Sequence, residues 1–208
     1  MRMLKKLQGR SIYDIFNIID FRLCKAKTRF FYSWFFGSIG RGSAIYKPLL
    51  ISNPGKIFIK DFVSIRNGAR LEVISGQSTV APRLTIGNNV NIEQNVHIVC
   101  GSRIEIGDNV SITGNVAIID IIHPYDDINE HSKIGSRIQC EGNYVEIGDN
   151  VFIGFGAIIM PNVKIGKNSV IGAHSVINHD VPEYSVAAGN PAKIVKKYCF
   201  DTKNWKKL

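Results

Sequence analysis

No apolar stretch of this 208-residue chain is both long and free of charge. The longest candidate, residues 11–36, is interrupted by Asp14, Asp20, Arg22, Lys25, Lys27 and Arg29, which excludes a membrane-spanning helix of about 20 apolar residues. Cysteine is sparse. Cys24, Cys100, Cys140 and Cys199 are scattered without metal-ligand spacing, so the expectation is reduced thiols and no bound metal in a cytoplasmic protein. No basic stretch followed by a clean apolar run marks a signal peptide. Acidic residues are also in short supply, 17 against 26 Lys and Arg, for a net charge of +9. Residues 1–47 hold ten Lys or Arg against two Asp, and the tail from Lys193 holds six Lys against one Asp. That polarity asks for an anionic partner, such as cofactor phosphates, a phosphate-linked glycan or an anionic bilayer surface. No nucleic-acid-binding motif is present, and nucleic acid is not expected as a partner.

What the chain has in quantity is a six-residue beat. An isoleucine followed by glycine recurs at Ile86-Gly87, Ile106-Gly107, Ile147-Gly148, Ile153-Gly154, Ile165-Gly166 and Ile171-Gly172, with Ile92, Ile98, Ile112, Ile118, Ile159 and Ile177 keeping the register between them. Six residues are too few for a strand and a crossover helix. Each unit must be one short strand and one tight corner, three units making a coil of eighteen residues whose aliphatic side chains point inward. A period this short marks a solenoid. Stacked coils separate at strand spacing, about 4.8 Å. The corners carry Gly-Asn-Asn at 87–89 and Gly-Asp-Asn at 107–109 and 148–150, residues that tolerate sharp turns. A helix is excluded because positions six apart do not share one face of a 3.6-residue turn.

Two insertions break the beat. Residues 74–83 are rich in Ser, Gly, Gln and Pro; residues 124–146 carry mixed charge and follow His123 directly. Loops that interrupt a solenoid usually belong to function. Three parts are expected: residues 1–40, helical, basic and aromatic; the solenoid, 41–182, with its insertion at 124–146; and a tail, 183–208, running back along the prism and closing near Trp205 in a short helix. The first part reads either as a cap on the open end of the solenoid or as an interfacial helix at a membrane surface.

The repeat, with Ile106-Gly107-Asp108-Asn109-Val110 leading to His123-Pro124, then Val151-Phe152-Ile153-Gly154 and the run Asp180-Val181-Pro182 to Ala187-Ala188-Gly189-Asn190-Pro191-Ala192-Lys193, resembles the bacterial transferase hexapeptide family and its sugar and polysaccharide O-acetyltransferases. The resemblance covers about residues 45–197. It implies a left-handed parallel β-helix, a homotrimer with active sites between subunits, acetyl-CoA as acyl donor and a glycan acceptor. His123 then falls at the general base. The donor would pass Gly154, Phe155, Gly172, Ala173 and Asn178, with Lys193 and Lys196 near its phosphates. Acceptor-side candidates are Glu93 and Asn95, with Asp120 and Glu141 to orient the imidazole.

For His97, His131, His174 and His179 a packing or surface role is expected. Other readings stay open. They are N-acetylation of an amino sugar, an antibiotic or serine; a zinc site like that of γ-class carbonic anhydrases, suggested by His174 and His179; and a noncatalytic trimeric scaffold.

Overall fold

The computed structural model describes residues 11–76 and 79–208. Residues 1–10 of the expected N-terminal segment, and positions 77–78 of the first insertion, lie outside it. The described strands fall into three sheets of six, nine and six strands, and through Val176–Ile177 the chain visits them in strict rotation. Ser38–Ile39 joins the first sheet, Ala44–Ile45 the second and Leu50–Ser52 the third, after which Ile57–Ile59 returns to the first. All pairings through the coils are parallel and in register with the six-residue beat, for example Ile86↔Ile106↔Ile147↔Ile165 on the first sheet.

The register explains the core. Ile86, Ile92, Ile98, Ile106, Ile112, Ile118, Ile147, Ile153, Ile159, Ile165, Ile171 and Ile177 are all buried, each at 3% exposure or less. They belong to a single cluster running the length of the coils. Burying each such side chain contributes about 1.5–3 kcal/mol.

Corners are held by backbone geometry and side-chain ladders together. Asn89, Asn109, Asn150 and Asn168 occupy left-handed conformations with φ of 54–58° at one corner; Asn95, Asn115 and His174, at 55–59°, do so at the next. Asparagine adopts this region more readily than most residues. Asn88 donates its backbone N–H to Asp108 Oδ1 at 2.7 Å, and Asp108 donates in turn to Asp149 Oδ1 at 2.7 Å.

The N-terminal helix, α1, spans Ile12–Phe30 and starts in a capping box between Ser11 and Asp14. Only Cys24 and Thr28 along it are buried. Thr28 Oγ1 donates to the Cys24 carbonyl at 2.7 Å and accepts the Ile45 N–H at 2.8 Å. It thereby satisfies the free backbone edge of the first coil, so one side of α1 acts as the expected cap.

The tail departs from the expected short helix. Ser185–Gly189 continues the second sheet in parallel, and Ala192–Cys199 and Asn204–Lys207 extend it antiparallel. Tyr198 meets Phe200 and Trp205 edge-on, so aromatic packing and strand pairing replace the helix near Trp205.

Candidate active site

The third sheet ends one coil at Ala117–Ile119, and the chain then leaves the beat toward His123. The departure is anchored from below. Asp120, two residues beyond Ile118, keeps the inward alternation and is fully buried. Its Oδ1 accepts the Gly101 N–H at 2.5 Å and its Oδ2 accepts the Ser102 N–H at 2.9 Å. Burial pushes its carboxyl above the ordinary range, and the backbone N–H groups of Gly101, Ser102 and Arg103 act against that shift. Burial, with the Asp120 charge adding to it, pushes the Cys100 thiol far up as well. Gly101 must be glycine, because a Cβ there would meet Cys140 Cβ and Ile121 Cγ2, each at 2.7 Å. Asp120 was expected to orient the imidazole; instead it locks the root of the loop to the coil beneath.

The imidazole is oriented elsewhere. His123 Nδ1 lies 2.8 Å from the carbonyl oxygen of Arg137. A carbonyl only accepts, so in the neutral ring Nδ1 carries the hydrogen and Nε2 keeps its lone pair. The histidine is exposed, and its loop is tied back by the pairing of Ile122 with Gln139.

Arg137 also organises the loop through its side chain. The guanidinium donates to the carbonyls of Asp127, Glu130 and Ser132 at 3.2, 2.6 and 2.8 Å and to Ser132 Oγ at 3.2 Å. Although the loop reads as solvated charge, this side chain is only 11% exposed. Sequence reasoning missed it, and no signal in the local pattern separates it from a surface arginine.

Glu141 is engaged at the first insertion. Its carboxylate accepts the Thr79 N–H at 2.8 Å and the Thr79 hydroxyl at 2.5 Å, clasping the first insertion to the second. Glu93 faces Arg66 at 3.9 Å, and Asn95 holds a left-handed corner against Gly68.

Donor-side candidates group along the second sheet and the corner after it. A Cβ on Gly154 would lie 2.6 Å from the Ala173 nitrogen, and one on Gly172 would lie 2.9 Å from Ala188 Cβ. Coil stacking therefore accounts for both glycines. Phe155 is exposed and edge-on to His174, with ring centroids 5.5 Å apart. Lys193 and Lys196 pair with Ala188 and Val186 across an irregularity in the strand. Since Ala188 and Val186 share one face, the irregularity brings the two lysines to that same side. Asn178 lies 2.8 Å from His179 Nδ1.

His123 and Asn178 therefore follow the third sheet, whereas Phe155 and Ala173 precede it. The outward positions between carry Ala117, Ile119, Ile158 and Val176. The first sheet instead presents Arg103 and Lys164 to Glu146, each at 2.7 Å. Among the described residues no cluster of three or more His, Cys, Asp and Glu could hold a metal ion. The left-handed backbone at His174 (φ 55°) explains that residue as a corner.

Residues 144–179 match the family model of the bacterial transferase hexapeptide (six repeats). Over that segment the chain is similar to the hexapeptide-repeat transferases. Over 53 residues the chain is 62% identical to YJL218W of Saccharomyces cerevisiae, which carries an acetyltransferase name; the match covers 26% of this chain and 27% of that one. Over 67 residues it is 45% identical to WbbJ of Escherichia coli, named for O-acetyl transfer in lipopolysaccharide biosynthesis, covering 32% of this chain and 34% of that one. The matched segments thus span about a third of these relatives or less. Among solved structures it is similar to AntD, an N-acyltransferase from Bacillus cereus in complex with dTDP and 3-hydroxybutyryl-CoA, with a TM-score of 0.67, 23% identity and coverage of 82% of this chain and 87% of that one. That likeness is one of fold.

Proposed function

We propose that the protein is an acetyl-CoA-dependent O-acetyltransferase that esterifies a sugar hydroxyl, within a surface polysaccharide or its precursor, using His123 as general base. The observation that carries this reading is the contact of His123 Nδ1 with the Arg137 carbonyl at 2.8 Å, at the root of a loop that breaks an otherwise regular repeat. Nε2 takes the acceptor hydroxyl proton as the oxygen attacks the acetyl carbonyl. The tetrahedral intermediate expels the CoA thiolate, which recovers the proton from Nε2, giving the ester and free CoA with no acyl-enzyme. The naming of WbbJ for O-acetyl transfer supports the acceptor class. The CoA ligand of AntD supports the donor.

In this reading the coils, residues 41–182 with 1–40 and 183–208 as appendages, wind left-handed and assemble as a homotrimer. The apolar outer row Ala117, Ile119, Ile158 and Val176 supports a contact between copies. It would bring the Phe155–Ala173 corner of one copy beside His123 of another. The pantetheine arm would run past Gly154, Phe155, Gly172, Ala173 and Asn178, and its phosphates would meet Lys193 and Lys196 as point charges. Glu93 and Asn95 remain proposed acceptor contacts. No helix among the described residues is long and apolar enough to cross a membrane.

N-acyl transfer to an amino sugar is the second reading, favoured by the fold likeness to AntD. One assay separates the two. Thiol release from acetyl-CoA is followed with hydroxyl-bearing and amine-bearing sugars, and the product is treated with hydroxylamine. An O-acetyl ester is cleaved, an amide survives, and release with amine acceptors alone would replace the first reading by the second.

A further inference from the structure

Helix α1 has two faces, and the fold uses only one. Ile12, Phe16, Ile19, Leu23, Ala26 and Phe30 follow one another at spacings of four, three, four, three and four, a continuous stripe on a 3.6-residue helix. Every one of them is exposed, Ile12 and Phe30 at more than 70%. The stripe lies opposite Cys24 and Thr28, the two residues buried against the first coil. It continues past the helix into Phe31, Trp34 and Phe35, with Trp34 at 84% exposure. Exposed apolar surface of this extent marks an interaction site.

The charges beside the stripe decide what covers it. Arg22 and Arg29 flank it on one side and Lys27 on the other, by helical position. The helix's two acids are already engaged: Asp14 closes the capping box with Ser11, and Asp20 faces Lys47 at 3.4 Å. A second copy of α1 packed on this stripe would bring like cations together with no acid to meet them, which destabilises helix pairs. An apolar stripe flanked by Lys and Arg and ending in Trp is instead complementary to acyl chains beneath anionic headgroups.

We propose that α1 and the Phe31–Phe35 segment lie in the surface of an anionic bilayer, docking the coils to the membrane through the stripe while Thr28 bolts the helix to the first coil. This inference is independent of the transferase reading, because it uses no residue of the proposed active site.

The test is flotation of the full chain with vesicles of phosphatidylcholine alone or with about 30% phosphatidylglycerol. Two measurements accompany it: quenching of tryptophan fluorescence by brominated lipid, and sedimentation without lipid. The wild type should bind the anionic vesicles at least about tenfold more than the neutral ones, and less as salt rises. Leu23→Glu should lose at least about tenfold of that binding while keeping the wild-type melting temperature, since Leu23 is exposed. Quenching should disappear in Trp34→Phe, which retains Trp205. Should Leu23→Glu fail to fold, quenching of Trp34 in the wild type decides. Equal binding by wild type and Leu23→Glu, or no binding to either vesicle, overturns the proposal. A loss of oligomer mass in Leu23→Glu without vesicle binding by the wild type overturns it in favour of a contact between copies.

Discussion

The backbone oxygen of Arg137 accepts a hydrogen bond from His123 Nδ1 across 2.8 Å. A single contact thereby fixes the tautomer and the direction of the ring, leaving Nε2 for chemistry. A histidine merely resting on the surface needs no such partner. In the proposed transfer, His123→Ala should lower turnover by about 10²- to 10⁴-fold, the range for a lost general base. Steady-state thiol release measures this, and an unchanged rate would remove His123 as the general base.

Arg137 should matter although nothing assigns it to the reacting atoms. Arg137→Lys keeps the charge but not the planar fork that holds three carbonyls and a hydroxyl,. The expected result is a fall in kcat of up to about 10²-fold through misplacement of His123. Acetyl-CoA affinity and global stability should be nearly unchanged. The split between kcat and donor affinity, measured by kinetics beside calorimetry, distinguishes a positioning residue from a general structural one.

Asp120→Ala should act on stability first. It strands the buried N–H groups of Gly101 and Ser102, at a cost of about 2–4 kcal/mol in a denaturant melt. Because those bonds fix the loop root, turnover should fall as well.

Asp120 and Glu146 should respond to pH with opposite sign. Hydrogen bonding to Lys164, reinforced by Arg103, holds the Glu146 carboxyl below its ordinary range. Its contribution is complete above the unfolded value of about 4.3 and is lost as pH falls through the lower folded value. Glu146→Gln should therefore be less stable than wild type at neutral pH and converge with it in acid. Asp120 is raised by burial, so the folded state binds its proton more readily. Its charged form costs stability above the raised value, and that cost is relieved as pH falls through it. Asp120→Asn should remove this dependence. Denaturant melts across the acid range check both signs.

His174 should prove replaceable. Its φ of 55° places it in the ladder where other coils put asparagine, so His174→Gly should stay within about 1 kcal/mol of wild type. His174→Ala should lose about 1–2 kcal/mol. Thermal melts settle the order, and a large loss in His174→Gly would mean the imidazole itself is needed.

Much of the coil was legible because each Ile of the beat meets a like environment one coil away, so the eighteen-residue spacing predicts Ile147 beside Ile165 and Ile153 beside Ile171. Asp120 was misread although alternation contained the answer. Ile118 points inward and Ile119 outward, so the next side chain turns inward again, as Cys100 does after Ile98. Arg137 and the Glu141–Thr79 clasp were not legible, since contacts between irregular loops carry no period. Lys193 and Lys196 reach one side of their strand only through an irregularity that sequence does not announce. Of the two readings of α1, the Thr28–Ile45 contact supports the cap, and the outward stripe carries the proposed bilayer contact. Thr28 caps the coil while Phe16 and Leu23 face outward.

Calorimetric titration of acetyl-CoA into the wild type and His123→Ala tests the central claim most directly, since it needs no knowledge of the acceptor. The account predicts saturable binding of similar affinity by both proteins, because His123 serves the acceptor hydroxyl and not the donor. Absence of binding heat from either protein would contradict it.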